Sequence, residues 1–233
     1  MKLVKHLANL GYGSRKEMMA LIRNGRITDA AGGELDFDTT IAHKELRYDG
    51  KPLDPDASAV VMLNKPLGFT CSTKDPGRIV YDILPMRFRF RKPPVSPIGR
   101  LDRDTTGLLL FTADGNFLHR VISPKSNVPK VYEATLARPL TGGEATIFAS
   151  GTMMLESETK PLLPAELVVT GEKTARLTLH EGRYHQVRRM FAAVGNHVDA
   201  LHRAAVGGLT LGDLPEGQWR ELDAQEVAKV ILS

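Results

Sequence analysis

The first quarter of the chain changes hydrophobic period partway along. Leu3, Leu7 and Leu10 fall on one helical face, and Gly11 follows as a stop. Ser14 and Glu17 have the spacing of a capping box. Met18, Met19, Leu21 and Ile22 then supply an apolar stripe that Gly25 ends. Arg15, Lys16, Arg23 and Arg26 are left for the exposed side. Residues 26–53 read as short strands turning at Gly32-Gly33 and Asp49-Gly50. The run Asp54-Pro55-Asp56-Ala57-Ser58 is a linker candidate.

Beyond the linker, apolar runs at 60–63, 108–112, 131–136, 165–170 and 175–179 predict strands. Helices are expected near 78–84, 114–122, 141–149, 184–194 and 224–231. The elements do not alternate strictly, so the expected class is α+β. The expected architecture is a small domain over 1–55, then a domain over 59–233 with a largely antiparallel mixed sheet flanked by helices.

Charge sharpens this picture. Lys and Arg total 31 against 27 Asp and Glu, a net charge of +4. The excess is uneven. Residues 1–26 hold Lys2, Lys5, Arg15, Lys16, Arg23 and Arg26 against the single acid Glu17. Residues 85–103 hold Arg87, Arg89, Arg91, Lys92, Arg100 and Arg103 against Asp102. Two basic segments in a nearly balanced chain suggest two places for phosphates. Cys71 is the sole cysteine, which excludes an internal disulfide and a cysteine metal cage. No apolar stretch approaches membrane-spanning length, and the start lacks a signal-peptide apolar region, so a cytoplasmic protein with no membrane partner is expected.

Four stretches carry candidate chemistry. In Gly99-Arg100-Leu101-Asp102-Arg103-Asp104-Thr105-Thr106-Gly107 a polar turn leads into an apolar strand, placing Asp102 on a loop anchored by a rigid element. Arg100 and Arg103 beside it favour an ionised carboxylate. A calcium loop is excluded, because its twelfth position is Ala113 where a bidentate acid is needed. A solvated turn with structural salt bridges is the bland alternative. In Glu181-Gly182-Arg183-Tyr184-His185-Gln186-Val187-Arg188-Arg189 a strand turns into a helix whose start is crowded with Arg183, His185, Gln186, Arg188 and Arg189. That reads as an RNA-facing edge or as a solvated basic face. Lys130-Val131-Tyr132 puts Lys130 and Tyr132 on one face of a strand, and Tyr132 could stack on a base or serve the core. Asn64-Lys65-Pro66-Leu67-Gly68 ends a strand in a rigid turn with a cation, a phosphate holder or a plain turn. His185, His197 and His202 are too scattered to read as metal ligands.

Together, in this order and spacing, these motifs resemble the pseudouridine synthases, specifically the RsuA branch that modifies small-subunit (16S) ribosomal RNA. The resemblance extends through 192–198 and Leu201-His202-Arg203 and covers nearly the whole chain. Residues 1–53 resemble an S4 RNA-binding domain, with Val4 standing where such domains often carry an acid.

The resemblance implies roles. Asp102 matches the catalytic aspartate, Tyr132 the tyrosine that stacks on the flipped uracil, and Arg188 the arginine that pairs with the aspartate. Leu201 matches an apolar residue lining the base pocket, which Arg100, Leu101 and Lys65 are expected to complete. Arg15, Lys16, Arg23, Arg26, Arg183, His185, Gln186 and Arg189 are the expected RNA contacts. Exchanging an N–C for a C–C glycosidic bond adds and oxidises nothing, so no cofactor or metal is expected. The implied partner is 16S ribosomal RNA, naked or in a partly assembled small subunit, acted on at the uridine conventionally numbered 516 by a monomer. The competing readings are a sister synthase acting on 23S RNA, a non-catalytic assembly factor, and a nucleoside glycosidase. A carboxylate central to a basic cleft argues against a pure RNA binder.

Overall fold

In the computed structural model, residues 2–72 and 76–231 are described. The N-terminal unit folds as α1 (Leu3–Asn9), α2 (Arg15–Arg23) and a small sheet of β1 (Ile27–Thr28), β2 (Arg47–Tyr48) and β3 (Lys51–Pro52). Both halves of the capping box at α2 form. Asp49 and Gly50 both take positive φ, the backbone that a two-residue hairpin between β2 and β3 requires. Leu3, Leu7, Met18, Ile22, Ile27 and Leu46 make a core belonging to this unit alone.

The rest of the chain forms β4 (Val60–Lys65), β5 (Ser96–Ile98), β6 (Thr105–Thr112), α3 (Gly115–Ile122), β7 (Lys130–Leu136), α4 (Glu144–Ala149), β8 (Glu166–Gly171), β9 (Thr174–Leu179), α5 (Gln186–Ala193), β10 (Val198–Val206), β11 (Leu209–Thr210), β12 (Trp219–Glu221) and α6 (Ala224–Ile231). Its main sheet runs β12-β4-β6-β10-β7-β9-β8, with β5 added to β6 and β11 to β10. Every pairing is antiparallel except β6 with β10. This is the α+β, largely antiparallel mixed sheet that the patterning predicts.

The continuous apolar run of β6 has a physical reason: both faces of the strand are covered. Leu108 and Leu110 pack with α3 and α6, while Leu109 and Phe111 pack under the 80–101 segment. The patterning does not predict the central strand β10, because His202 and a buried Arg203 interrupt its apolar run. The helix expected at 78–84 is only a 3₁₀ turn at Val80–Asp82, hemmed between Gly77 and Pro85.

The segment 54–58 is not a free linker. Tyr12 Oη accepts a hydrogen bond from Asp54 N at 2.8 Å, and Arg87 Nε donates to Asp54 Oδ2 at 2.6 Å. Arg91 is buried, donates to the carbonyls of Pro55 (2.6 Å) and Asp56 (3.2 Å), and stacks on Phe88. Lys92 N bonds Asn9 O at 2.8 Å. Arg89 pairs with Asp82. Arg87, Arg89 and Arg91 are therefore each engaged by the protein's own groups, and Arg91 alone is buried. The basic run that suggested a phosphate site is largely a clasp between the two units.

Candidate active site

The loop carrying Asp102 is held from three sides. Leu101 is buried, its N–H donating to Cys71 Sγ and its carbonyl accepting from the same thiol, both at 3.4 Å. Gly68 N bonds Arg103 O at 2.8 Å, and Thr105 N bonds Asp102 O at 3.1 Å. Lys65 lies beneath with no exposed surface. Its Nζ donates to the carbonyls of Thr105 (2.7 Å), Pro66 (3.1 Å) and Arg103 (3.5 Å). Burial pushes its ammonium below the ordinary lysine range. Lys65 thus staples the loop and reaches neither the pocket nor a phosphate, correcting the pocket role expected of it.

After the loop, Gly107 has φ of 106°, and a Cβ there would stand 2.4 Å from Arg203 O. Only glycine lets β10 come this close to β6. That approach aligns Leu201 with Thr105 and Arg203 with Gly107 across the parallel pair. On its other edge β10 aligns Leu201 with Ala134 and Arg203 with Tyr132. Directly opposed residues share a sheet face, so Thr105, Leu201, Arg203, Tyr132 and Lys130 form one surface.

This surface floors a cleft of about 550 Å³, and the cleft mouth carries Asp102, Arg100 and His185. Leu101 and Leu201 line it. The volume lies within the range that encloses a small molecule or a single nucleotide.

The wall is built from α5. His185, in left-handed conformation just ahead of the helix, sets Nε2 3.4 Å from Asp102 Oδ1. Its ring stacks on Tyr184, centroids 3.9 Å apart, and Tyr184 is 70% exposed at the rim. Arg188 does not reach Asp102. It donates to Val198 O at 2.7 Å and Asp104 O at 3.0 Å, and pairs with the Asp104 carboxylate at 3.0 Å.

A scan against protein families matches residues 59–193 to "RNA pseudouridylate synthase". The chain is 41% identical to "Ribosomal small subunit pseudouridine synthase A" of Escherichia coli (strain K12), covering 99% of this chain and 100% of that protein. Its Vibrio cholerae counterpart is 37% identical with 99% of both chains covered. A solved structure described as "Crystal structure of pseudouridylate synthase" superposes with a TM-score of 0.69 at 34% identity, over 99% of this chain and 100% of that one.

The chain belongs to the RNA pseudouridylate synthase family, in its RsuA-type branch.

Several residues expected to contact RNA in this synthase are engaged elsewhere. Arg183 bonds Glu158 and Glu181, both at 3.0 Å, and the carbonyls of Lys160 and Pro161. Arg189 bonds Glu158 at 2.9 Å and the carbonyls of Tyr184 and Glu156. Gln186 is buried, accepting from Arg183 N at 2.9 Å and donating to Glu181 at 3.0 Å. All three shape the wall, and Arg183 and Arg189 pin the 156–161 loop. On the N-terminal unit Arg26 is paired with Asp49 and stacked on Tyr48, while Arg15, Lys16 and Arg23 stay exposed, Arg23 over Phe37.

Sequence reasoning missed two features of the cleft. One is Tyr184, whose only signal was an aromatic within a basic run. The other is the pair Lys130 and Arg203, which are 8% and 4% exposed. Lys130 Nζ and Arg203 Nη2 have no hydrogen-bond partner. Among the described residues one group has metal-ligand spacing: His6, His43 and Asp56, at the clasp between the units. There His6 Nε2 and His43 Nδ1 lie 3.0 Å apart, and His43 Nε2 donates to Asp54 O.

Proposed function

We propose that this synthase isomerises a single uridine of 16S ribosomal RNA, the position conventionally numbered 516, with Asp102 as the catalytic carboxylate. The observation that carries this reading is Asp102 on a braced loop at the mouth of a nucleotide-sized cleft floored by Tyr132 and Leu201. The small-subunit substrate comes from the names of the relatives that match along nearly the whole chain.

The target nucleotide leaves its stack to enter the cleft, and its ring lies between Tyr132 and Leu201. Asp102 acts at the ribose, at C1′ as nucleophile or at C2′ as base, and the C1′–N1 bond breaks. The freed ring turns, C5 bonds to C1′, the C5 proton is lost and N1 gains one. Tyr132 holds the ring through the turn and assists deprotonation. The balance needs no oxidant and no added group, so the reaction calls for no cofactor or metal. Arg188 acts through Asp104, bracing the loop that carries Asp102.

Residues 1–55 act as an S4-like RNA-binding domain presenting Arg15, Lys16 and Arg23, and residues 59–233 act as the catalytic domain. The enzyme works as a cytoplasmic monomer, on naked RNA or on a partly assembled subunit.

Unmodified 16S and 23S transcripts, with and without ribosomal proteins, test this by carbodiimide labelling and primer extension after incubation. One new stop in 16S RNA is the expected result. A stop only in 23S RNA overturns the substrate, and binding without any stop overturns catalysis.

A further inference from the structure

The cleft floor holds two buried cations that nothing in the mechanism above uses. Lys130 from β7 and Arg203 from β10 share the sheet face that carries Tyr132 and Leu201. Arg203 spends its Nε on Leu108 O at 2.7 Å, but its Nη2 is sealed from water without a partner. Lys130 Nζ is in the same state, and so is the hydroxyl of Thr105 on β6, opposite Leu201 on β10. The cleft carboxylates do not serve them. Asp102 sits against His185, and Glu181 is bonded to Leu163 N, Arg183 and Gln186. Burying one unpaired cation is costly, and a second beside it adds repulsion. Burial, and then the neighbouring Arg203, push Lys130 down to about 8. A fold that retains such a pair leaves room for a negative charge to arrive.

We propose that Lys130, Arg203 and the Thr105 hydroxyl form an electrostatic floor that stabilises the uracil ring as an anion while it is detached from the ribose. The proposal rests on the uridine-isomerisation reading, because that reaction makes such a charge. When C1′–N1 breaks, the bonding pair leaves with N1 and spreads over the ring and its two carbonyl oxygens. Asp102 becomes neutral in the same step, as an ester at C1′ or as an acid holding the C2′ proton. In either route one negative charge moves from the cleft mouth to the ring above the floor. Fixed cations there favour the cleaved state over the bound substrate, which is the difference that raises a rate. When C5 joins C1′ the ring becomes neutral again and Asp102 regains its charge. The occupant is the base and not a backbone phosphate, because Lys130 and Arg203 are buried on the same face as Tyr132 and Leu201 rather than at the exposed rim.

The test compares Lys130→Met and Lys130→Arg with the wild type as full-length chains on a 16S RNA transcript. It reads single-turnover rate, RNA affinity, thermal midpoint and pH profile. Lys130→Met is expected to lose about a hundredfold or more in rate, the scale of one missing transition-state donor. Its RNA affinity and salt dependence stay unchanged, and its melting temperature at neutral pH is equal or higher, because a buried unpaired charge has gone. The wild-type rate falls as pH rises through about 8, where Lys130 loses its proton. The groups facing that ammonium are Arg203 from β10, Thr105 from β6 and apolar Leu179 from β9, with Asp102, His185 and Glu181 in the walls. Lys130→Arg retains turnover and moves that alkaline limb upward.

Full rate in Lys130→Met overturns the proposal, and so does an RNA affinity that falls in step with the rate, which marks a phosphate contact. Should Lys130→Met fail to fold, an alkaline limb unmoved in Lys130→Arg overturns it equally. A wild type that modifies no RNA overturns the underlying reading; an active wild type with an indifferent Lys130 overturns this inference alone.

Discussion

Arg188 grips Asp104 and not Asp102. Its guanidinium joins the Val198 carbonyl to both the carbonyl and the carboxylate of Asp104, while the side chain set against the Asp102 carboxylate is His185, at 3.4 Å. The arginine therefore ties β10 to the far side of the loop that carries Asp102. Arg188→Lys keeps the charge but loses the planar fork that spans three acceptors. Its turnover is expected to fall about tenfold to a hundredfold with little change in RNA affinity. Asp104→Asn costs less, because the backbone bond survives. Single-turnover kinetics of the two variants check this, and wild-type rates in Arg188→Lys would remove the bracing role.

Lys65→Met is expected to destabilise the protein. The change leaves the carbonyls of Thr105, Pro66 and Arg103 without their shared donor in a dry site, at a cost of about 2–4 kcal/mol. Urea unfolding measures it as a lower midpoint with an unchanged slope. Turnover falls as well, since the loop carrying Asp102 loses its staple.

Gly107→Ala is expected to cost about 2 kcal/mol or more, because the strand must both hold a positive φ and open against the Arg203 backbone. The same unfolding measurement applies. An alanine variant as stable as the wild type would mean that β6 and β10 do not approach as described.

Glu226, at the start of α6, pairs with Arg220 on β12, and its carboxyl is pulled down to about 2. A depressed carboxyl contributes stability that is complete above the unfolded value of about 4.3 and lost as pH falls through about 2. Glu226→Gln should therefore flatten the acid limb of the stability curve between those limits and leave neutral-pH turnover unchanged. Thermal melts across pH 2–6 read the difference.

RNA affinity separates free cations from spent ones. Charge reversal of Arg15, Lys16 and Arg23 should weaken binding and lower its salt slope by about 0.7–0.9 for each phosphate no longer neutralised. Reversal of Arg183 or Arg189 should instead release the 156–161 loop from Glu158 and lower stability, with a smaller change in salt slope. Binding isotherms at several salt concentrations distinguish the two sets.

Much of this was legible in the sequence, for reasons that differ by element. The capping box and the Asp49-Gly50 hairpin are local, so their residues alone specify them. Strands β4, β6, β7, β8 and β9 announce themselves through apolar runs of the right length. β10 does not, because the polar residue it buries, Arg203, is paired by the strand beside it and not by its own neighbours. Partnership was the other blind spot. A run of arginines looks the same whether it faces phosphate or closes on Asp54, Asp82 and the 55–56 carbonyls. Arg183, Gln186 and Arg189 look like free RNA contacts for the same reason, since Glu158 and Glu181 reach them only in the fold. Lys65 and Lys130 are both buried lysines near a strand end, and only their hydrogen-bond partners separate a loop staple from an unpaired charge.

Whether Asp102 performs the chemistry is read from Asp102→Asn. The substitution keeps shape and removes the carboxylate charge. No detectable pseudouridine is expected in 16S RNA after prolonged incubation, with RNA affinity within about 1 kcal/mol of the wild type. Turnover near the wild-type rate would contradict it.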